Sequence, residues 1–174
     1  GSDNGDPDNF LNYFFGYSGD DRVGDDPTAW EKAPDAREGW YHNTEVAQLL
    51  YQASILPDQA ERQVLYEQVE QMLHDDVARL WIAHNNTPLV FSSAVDGYVT
   101  QPVGADYYEG VTVEGSDTFV FGRGGDSVGL DPAVVTDGES FRVTGQILEP
   151  LYQNEPGSTT PIPALAEECV ANDA

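Results

Sequence analysis

The stretch Asp3-Asn4-Gly5-Asp6-Pro7-Asp8-Asn9-Phe10 gathers three carboxylates directly ahead of Leu11, Tyr13, Phe14 and Phe15. Carboxylates set against apolar groups attract a cationic partner, and a ligand's ammonium group is the simplest one they could hold. Gly, Asn, Pro and Asp together specify tight turns rather than helix or strand. The residues therefore predict acids displayed on a loop, where binding groups commonly sit. The plainer reading is a solvated acidic turn, the ordinary state of surface carboxylates. Calcium fits poorly, because the D-x-[DN]-x-[DN]-G register and the acidic residue that closes a calcium loop are both missing.

Gly125-Asp126-Ser127-Val128-Gly129 matches the G-x-S-x-G elbow that exposes a nucleophilic serine between a strand and a helix. Leu130-Asp131-Pro132 follows where the helix is needed. His42, His74 and His84 all precede the serine, although that architecture places its histidine after it. A serine hydrolase is thus disfavoured. The histidines show no HExxH spacing and no ligand pattern diagnostic of zinc, so no metal is expected. Gly122-Arg123-Gly124-Gly125 lacks the terminal Gly-Lys-Ser/Thr of a phosphate loop. Asn85-Asn86-Thr87 is a glycosylation triplet, weakened by Pro88 and meaningful only outside the cell.

The elements that position these residues follow from periodicity. Residues 16–40 carry six Gly and Pro residues among many Asp, and predict a long loop with short turns of helix at most. Asn43 or Thr44 can cap a helix to about Ser54, with Val46, Leu49 and Leu50 on one face. Asp58 with Glu61 resembles a capping box, and Leu65, Val69, Met72, Leu73 and Val77 recur at helical steps. Glu61, Glu67, Glu70 and Gln71 are read as the wet side of that helix, and Met72 as core. The runs at 80–83, 89–91, 98–99, 111–113 and 118–121 predict strands, and residues 140–152 a further helix. No internal repeat is visible.

Charge sets the broad class. There are 31 Asp plus Glu against 7 Lys plus Arg, a formal net charge of -24, while hydrophobic content stays at 40% with 3 Trp, 9 Tyr and 7 Phe. Enough apolar area remains to build a core, so disorder is not expected. The acids run along the whole chain, as on a solvated surface. Such a chain repels itself in dilute buffer, but at molar salt the screening length falls to about 3 Å. A halophilic protein is the expectation. Nucleic acid is excluded as a natural partner, because backbone binding needs clustered Lys and Arg. Cys169 stands alone and can form no internal disulfide. With no initiator Met, signal peptide or membrane-length apolar run, the sequence reads as a segment. Gly1-Ser2 and Gly115-Ser116 are candidate scars of a join.

Several long stretches together resemble the family 5 extracellular solute-binding proteins, the dipeptide and oligopeptide receptors of ABC importers. DNGDPDNF (3–10), AERQVLYEQVEQMLHDDVARLWIAH (60–84) and VDGYVTQPVGADYYEGVTVEG (95–115) resemble the last quarter of such a receptor. TFVFGRGGDSVGLDPAVVTDGESFRVTGQILEPLYQ (118–153) and TTPIPALAEECVAND (159–173) resemble its beginning. The family's carboxyl-terminal part thus precedes its amino-terminal part, and the large middle section is missing.

The resemblance implies an α/β chain, part of a two-lobed periplasmic-binding-protein-like fold with a mixed sheet and packed helices. Residues 1–80 would come from the second lobe, 81–115 would be hinge-proximal and first-lobe, and 116–174 would be first-lobe. It implies an extracytoplasmic receptor, not an enzyme, with no cofactor, a peptide ligand and permease subunits as partners. Membrane association would come only through the transporter or a lipid anchor outside this segment. Asp3 occupies the position whose carboxylate receives the peptide's amino-terminal ammonium, with Ser2, Asn4 and Gly5 flanking. Asp126 and Ser127 are weaker ligand candidates, since turn chemistry explains them equally well. Other members of the family carry nickel complexes, glutathione, haem or sugars, so these remain alternatives. A role as a non-binding structural or assembly fragment of such a receptor is another. With half of the cleft missing, the segment alone is expected to bind peptide poorly or not at all.

Overall fold

Asp6, Asn43, Asp58 and Asp137 each start a helix by the same device, a side-chain oxygen that accepts backbone N–H groups of the first turn. The computed structural model describes residues 4–34, 41–86, 88–103 and 106–170. The chain divides into two units, residues 1–86 and 87–174.

The first unit holds α1 (Pro7–Phe15), α2 (Thr44–Ile55) and α3 (Gln59–Asp75), with short 3-10 turns at Gly19–Asp21 and Pro27–Ala29. Phe15 from α1, Val46, Leu50 and Ala53 from α2, and Tyr66, Val69 and Leu73 from α3 form its core, with Met72 packed against it. The helical steps read from the sequence recur here as far as Leu73, because residues three and four apart share a helix face; Val77, expected on the same stripe, lies past the end of α3 at φ +52° and is exposed. Glu61, Glu67, Glu70 and Gln71 are exposed. A smaller cluster seats Trp30 edge-on between Tyr17 and Tyr51, beside buried Ala47. It anchors the long loop. Lys32 Nζ, itself buried, donates to the Gly16 carbonyl at 2.6 Å and lies 3.8 Å from Asp21, whose carboxylate also accepts from Ser18 and Ala33.

One expectation needs correction. The composition of the acidic stretch predicts a turn rather than a helix, yet α1 begins inside it. Asp6 is the N-cap and Pro7 the first helical residue, a position where the missing N–H of proline costs nothing. The residues that signal a turn are here the start of a helix.

The second unit has antiparallel β1 (Val95–Asp96) with β2 (Thr112–Val113), then α4 (Gly138–Ile147), then antiparallel β3 (Tyr152–Asn154) with β4 (Pro161–Pro163). The registers are Val95 opposite Val113 and Gln153 opposite Ile162. Gly97, at φ +80°, faces the Gly110 carbonyl so closely that a Cβ there would collide with it. Phe91, Tyr98, Tyr108, Phe119 and Phe121 form a run of aromatic contacts. The helix expected at 140–152 starts at Gly138 and stops at Ile147, and Tyr152 at the end of the expected span enters β3 instead.

The runs expected as strands at 80–83, 89–91, 98–99 and 118–121 form none, and only the 111–113 run enters a ladder. An apolar run becomes a strand when a neighbour offers its backbone groups. None does so here among the described residues. Ile82 and Val90 are accordingly 85% and 92% exposed. The class is mixed α/β, with helices and two small sheets.

Candidate functional site

Ser2 and Asp3 lie outside the described residues, so the site is built from Asn4 onward. Asn4 Oδ1 accepts from the Asp6 N–H at 3.0 Å, and Gly5 sits between them at φ +76°, which a side chain would resist. Asp6 Oδ1 in turn accepts from the Asp8 N–H at 2.8 Å and from Arg62 Nη2 at 2.7 Å. Asp8 Oδ1 accepts from the Asn12 side chain at 3.0 Å. Both described acids of the stretch are therefore held by the protein itself.

Burial works to raise the Asp6 pKa. The hydrogen bond from Arg62, the Asp8 N–H and the Arg62 charge together outweigh it and hold the carboxyl below its usual range. The Arg62 guanidinium moves the other way, upward, chiefly through its bond to Asp6 and then to Tyr66. Asp6 is thus a fixed anion of the fold. The expectation that Asp6 was a turn and surface residue missed its ion pair with Arg62, which is distant in sequence. The signal available was scarcity, since with 7 basic residues in the chain each is a candidate partner for a structural acid.

The second group lies in the other unit. Ser127 Oγ donates to the Glu139 carbonyl at 3.3 Å and accepts from Arg123 Nη1 at 3.2 Å. Arg123 Nη1 also reaches that carbonyl at 3.0 Å. The Asp126 side chain points into solvent, with Arg123 Nη2 at 3.9 Å. Ser127 therefore ties its loop to the first turn of α4, and the buried Ser140 does the same from the other side by accepting from the Val128 and Gly129 N–H groups. No strand leads directly into Ser127, since 118–126 form none, and α4 starts only at Gly138, so the elbow geometry is not formed.

A further polar cluster stands beside the aromatic run. Asp106 accepts a very short bond from the Tyr98 hydroxyl and lies 3.5 Å from both the Tyr108 hydroxyl and Arg142 Nε. Burial first, and Asp106 second, push the Tyr98 hydroxyl up to about 12. An open groove of about 1280 Å³ runs past Tyr108, Phe141, Gln146, Leu148, Pro150 and Ala164. Among the described residues no group of three or more His, Cys, Asp and Glu is arranged to hold a metal. No described helix is long and apolar enough to cross a membrane.

Comparison with known proteins gives three partial likenesses. The chain is 34% identical over 113 residues to heme-binding protein A of Haemophilus influenzae, covering 65% of this chain and 18% of that protein. It is 30% identical over 112 residues to the dipeptide-binding protein of Escherichia coli, covering 64% and 19%. It is 29% identical over 98 residues to the probable D,D-dipeptide-binding periplasmic protein DdpA of Escherichia coli, covering 56% and 17%. The chain thus spans less than a fifth of the length of these relatives. No family model matches it. No solved structure matches it. The mixed α/β units are compatible with a fragment of a periplasmic-binding-protein-like fold.

Proposed function

We propose that this chain is a segment of the substrate-binding component of an ABC-type importer of the family 5 type, serving the capture of extracytoplasmic dipeptides or oligopeptides for transport. The observation that carries the reading is the likeness to proteins named for binding dipeptides and haem. In this reading the chain is permuted, the carboxyl-terminal part of the receptor preceding the amino-terminal part, with 1–80 from the second lobe, 81–115 hinge-proximal and first-lobe, and 116–174 first-lobe. The permease subunits of the transporter are its partners.

Asp3 is the proposed anchor for the ligand's amino-terminal ammonium, with Ser2, Asn4 and Gly5 beside it and Asp126 and Ser127 as secondary candidates. A charge-assisted bond of about 1.5–3 kcal/mol selects a free amino terminus without reading side chains. Asp6 and Asp8 are supporting acids, since each is bound internally. The bonds of Ser127 to Arg123 and Glu139 favour a loop-holding role for that residue.

Amide shifts of the labelled chain, titrated with Ala-Ala to tens of millimolar, test the anchor. Weak perturbations centred on Asn4 to Asp6, absent with N-acetyl-Ala-Ala and in Asp3→Asn, are the expected result. Perturbation by Ala-Ala that persists unchanged in Asp3→Asn would remove Asp3 from the site. Haem is the second reading, favoured by the likeness to heme-binding protein A. A haem Soret shift on adding this chain, with no response to peptide, would establish it in place of the first.

A further inference from the structure

Residues 17–34 are held against α2, and none of them belongs to the core cluster that α1, α2 and α3 share. Their apolar anchor is Trp30, which packs with Tyr17 on Ala47 and Tyr51 of α2. Inside the segment, the Tyr17 hydroxyl donates to the Trp30 carbonyl at 3.0 Å and the Trp30 indole N–H donates to the Gly24 carbonyl at 3.1 Å. Outside it, among the described residues, hydrogen bonds run to Gly16 at the end of α1 and to Thr44 and Gln48 of α2. The segment is thus tied closely to itself and at few points to its surroundings.

Its two ends meet at one buried pair. Lys32 Nζ reaches the Gly16 carbonyl and stands 3.8 Å from Asp21, with the two side chains 3% and 1% exposed. Asp21 accepts from the Ser18 N–H and hydroxyl at one end of the segment and from the Ala33 N–H at the other. Removing either charge leaves the other buried without compensation, so the pair holds both ends or releases both. Salt screens exposed pairs strongly and buried ones much less, which suits a latch in a chain of net charge -24. We propose that residues 17–34 form a strap that opens as one unit while the core of α1, α2 and α3 stays folded, with the Lys32–Asp21 pair as its latch. Opening uncovers the face of α2 that carries Ala47 and Tyr51, whereas Val46, Leu50 and Ala53 stay within the core.

Hydrogen exchange of the whole chain, followed by NMR, tests this at the Trp30 indole N–H and the Ser18 and Ala33 amides of the strap, and at the Leu50, Val69 and Leu73 amides of the core. In the wild type the three strap sites are expected to share one protection factor, at least about tenfold below that of the core, as a separate opening unit does. Asp21→Asn and Lys32→Met should each lower strap protection by a further tenfold or so and leave the core unchanged. The double variant Asp21→Asn/Lys32→Met should open no more than the single variants, because neither charge is then buried alone. Strap and core protection that match in the wild type, or fall together in a single variant, would overturn the separate opening. Strap sites that respond to neither substitution, or a double variant whose losses simply add, would overturn the latch. If Lys32→Met fails to fold, the wild type and Asp21→Asn decide.

Discussion

Asp6 carries two tasks on one carboxylate, capping α1 and pairing with Arg62. Removing it in Asp6→Ala should cost about 1–2 kcal/mol, most of it from the cap, because the pair is partly exposed and screened. Urea denaturation checks this. Its titration has a definite sign. The folded-state pKa lies below the ordinary value, so the folded protein binds that proton less readily than the unfolded chain does. The stabilisation is complete above the unfolded pKa of about 4 and is lost as pH falls through the folded value. Neutralising other acids relieves self-repulsion over the same interval, so the useful measurement is a difference. The stability gap between wild type and Asp6→Asn should be widest near neutrality and close below about pH 4. A gap that widened on acidification would contradict the assignment.

Elements formed where the sequence contained its own partners. Asp58→Ala should lower stability by about 1 kcal/mol, since Asp58 caps α3 through the Glu61 N–H at 2.9 Å. Leu50→Ala, in the fully buried core, should cost about 2–5 kcal/mol, read by the same denaturation. Gly97→Ala meets both an unfavourable φ and a backbone carbonyl, and should open the β1–β2 pair, seen as faster exchange of the Glu114 amide bonded to Ala94. The helices α2 and α3 were legible because cap and stripe are local signals, and their packing faces followed from the steps of Val46, Leu50, Val69 and Leu73. Of the expected strands only the 111–113 run enters a ladder, because an apolar run such as Leu80 to Ala83 carries no information on whether a second strand stands beside it. The start of α1 was misread because Asp, Pro and Asn serve turns and helix caps alike. The ion pair of Arg62 with Asp6 joins residues far apart in the chain, and no local pattern announces such a pair.

At the level of the whole chain, apolar burial is uneven. Ten buried apolar side chains of the described residues fall in the first unit, whereas Val135 is the one in the second. Protection from hydrogen exchange should follow, with α2 and α3 amides slowest and those of α4 and the two small sheets faster by orders of magnitude. The net charge of -24 leads to a further expectation, that the unfolding temperature rises as KCl increases from about 0.1 to 2 M, by screening of self-repulsion. A melting curve indifferent to salt would argue against halophilic adaptation. The buried position of Lys32 bears on how such changes can be followed. It is the single lysine in the sequence, and its side chain is 3% exposed. An amine-acylating reagent should leave it untouched while the loop around Trp30 is closed and modify it whenever that loop opens. The yield of one mass increment at Lys32 then serves as a clock for local opening of the first unit, written into the chain by its own scarcity of lysine.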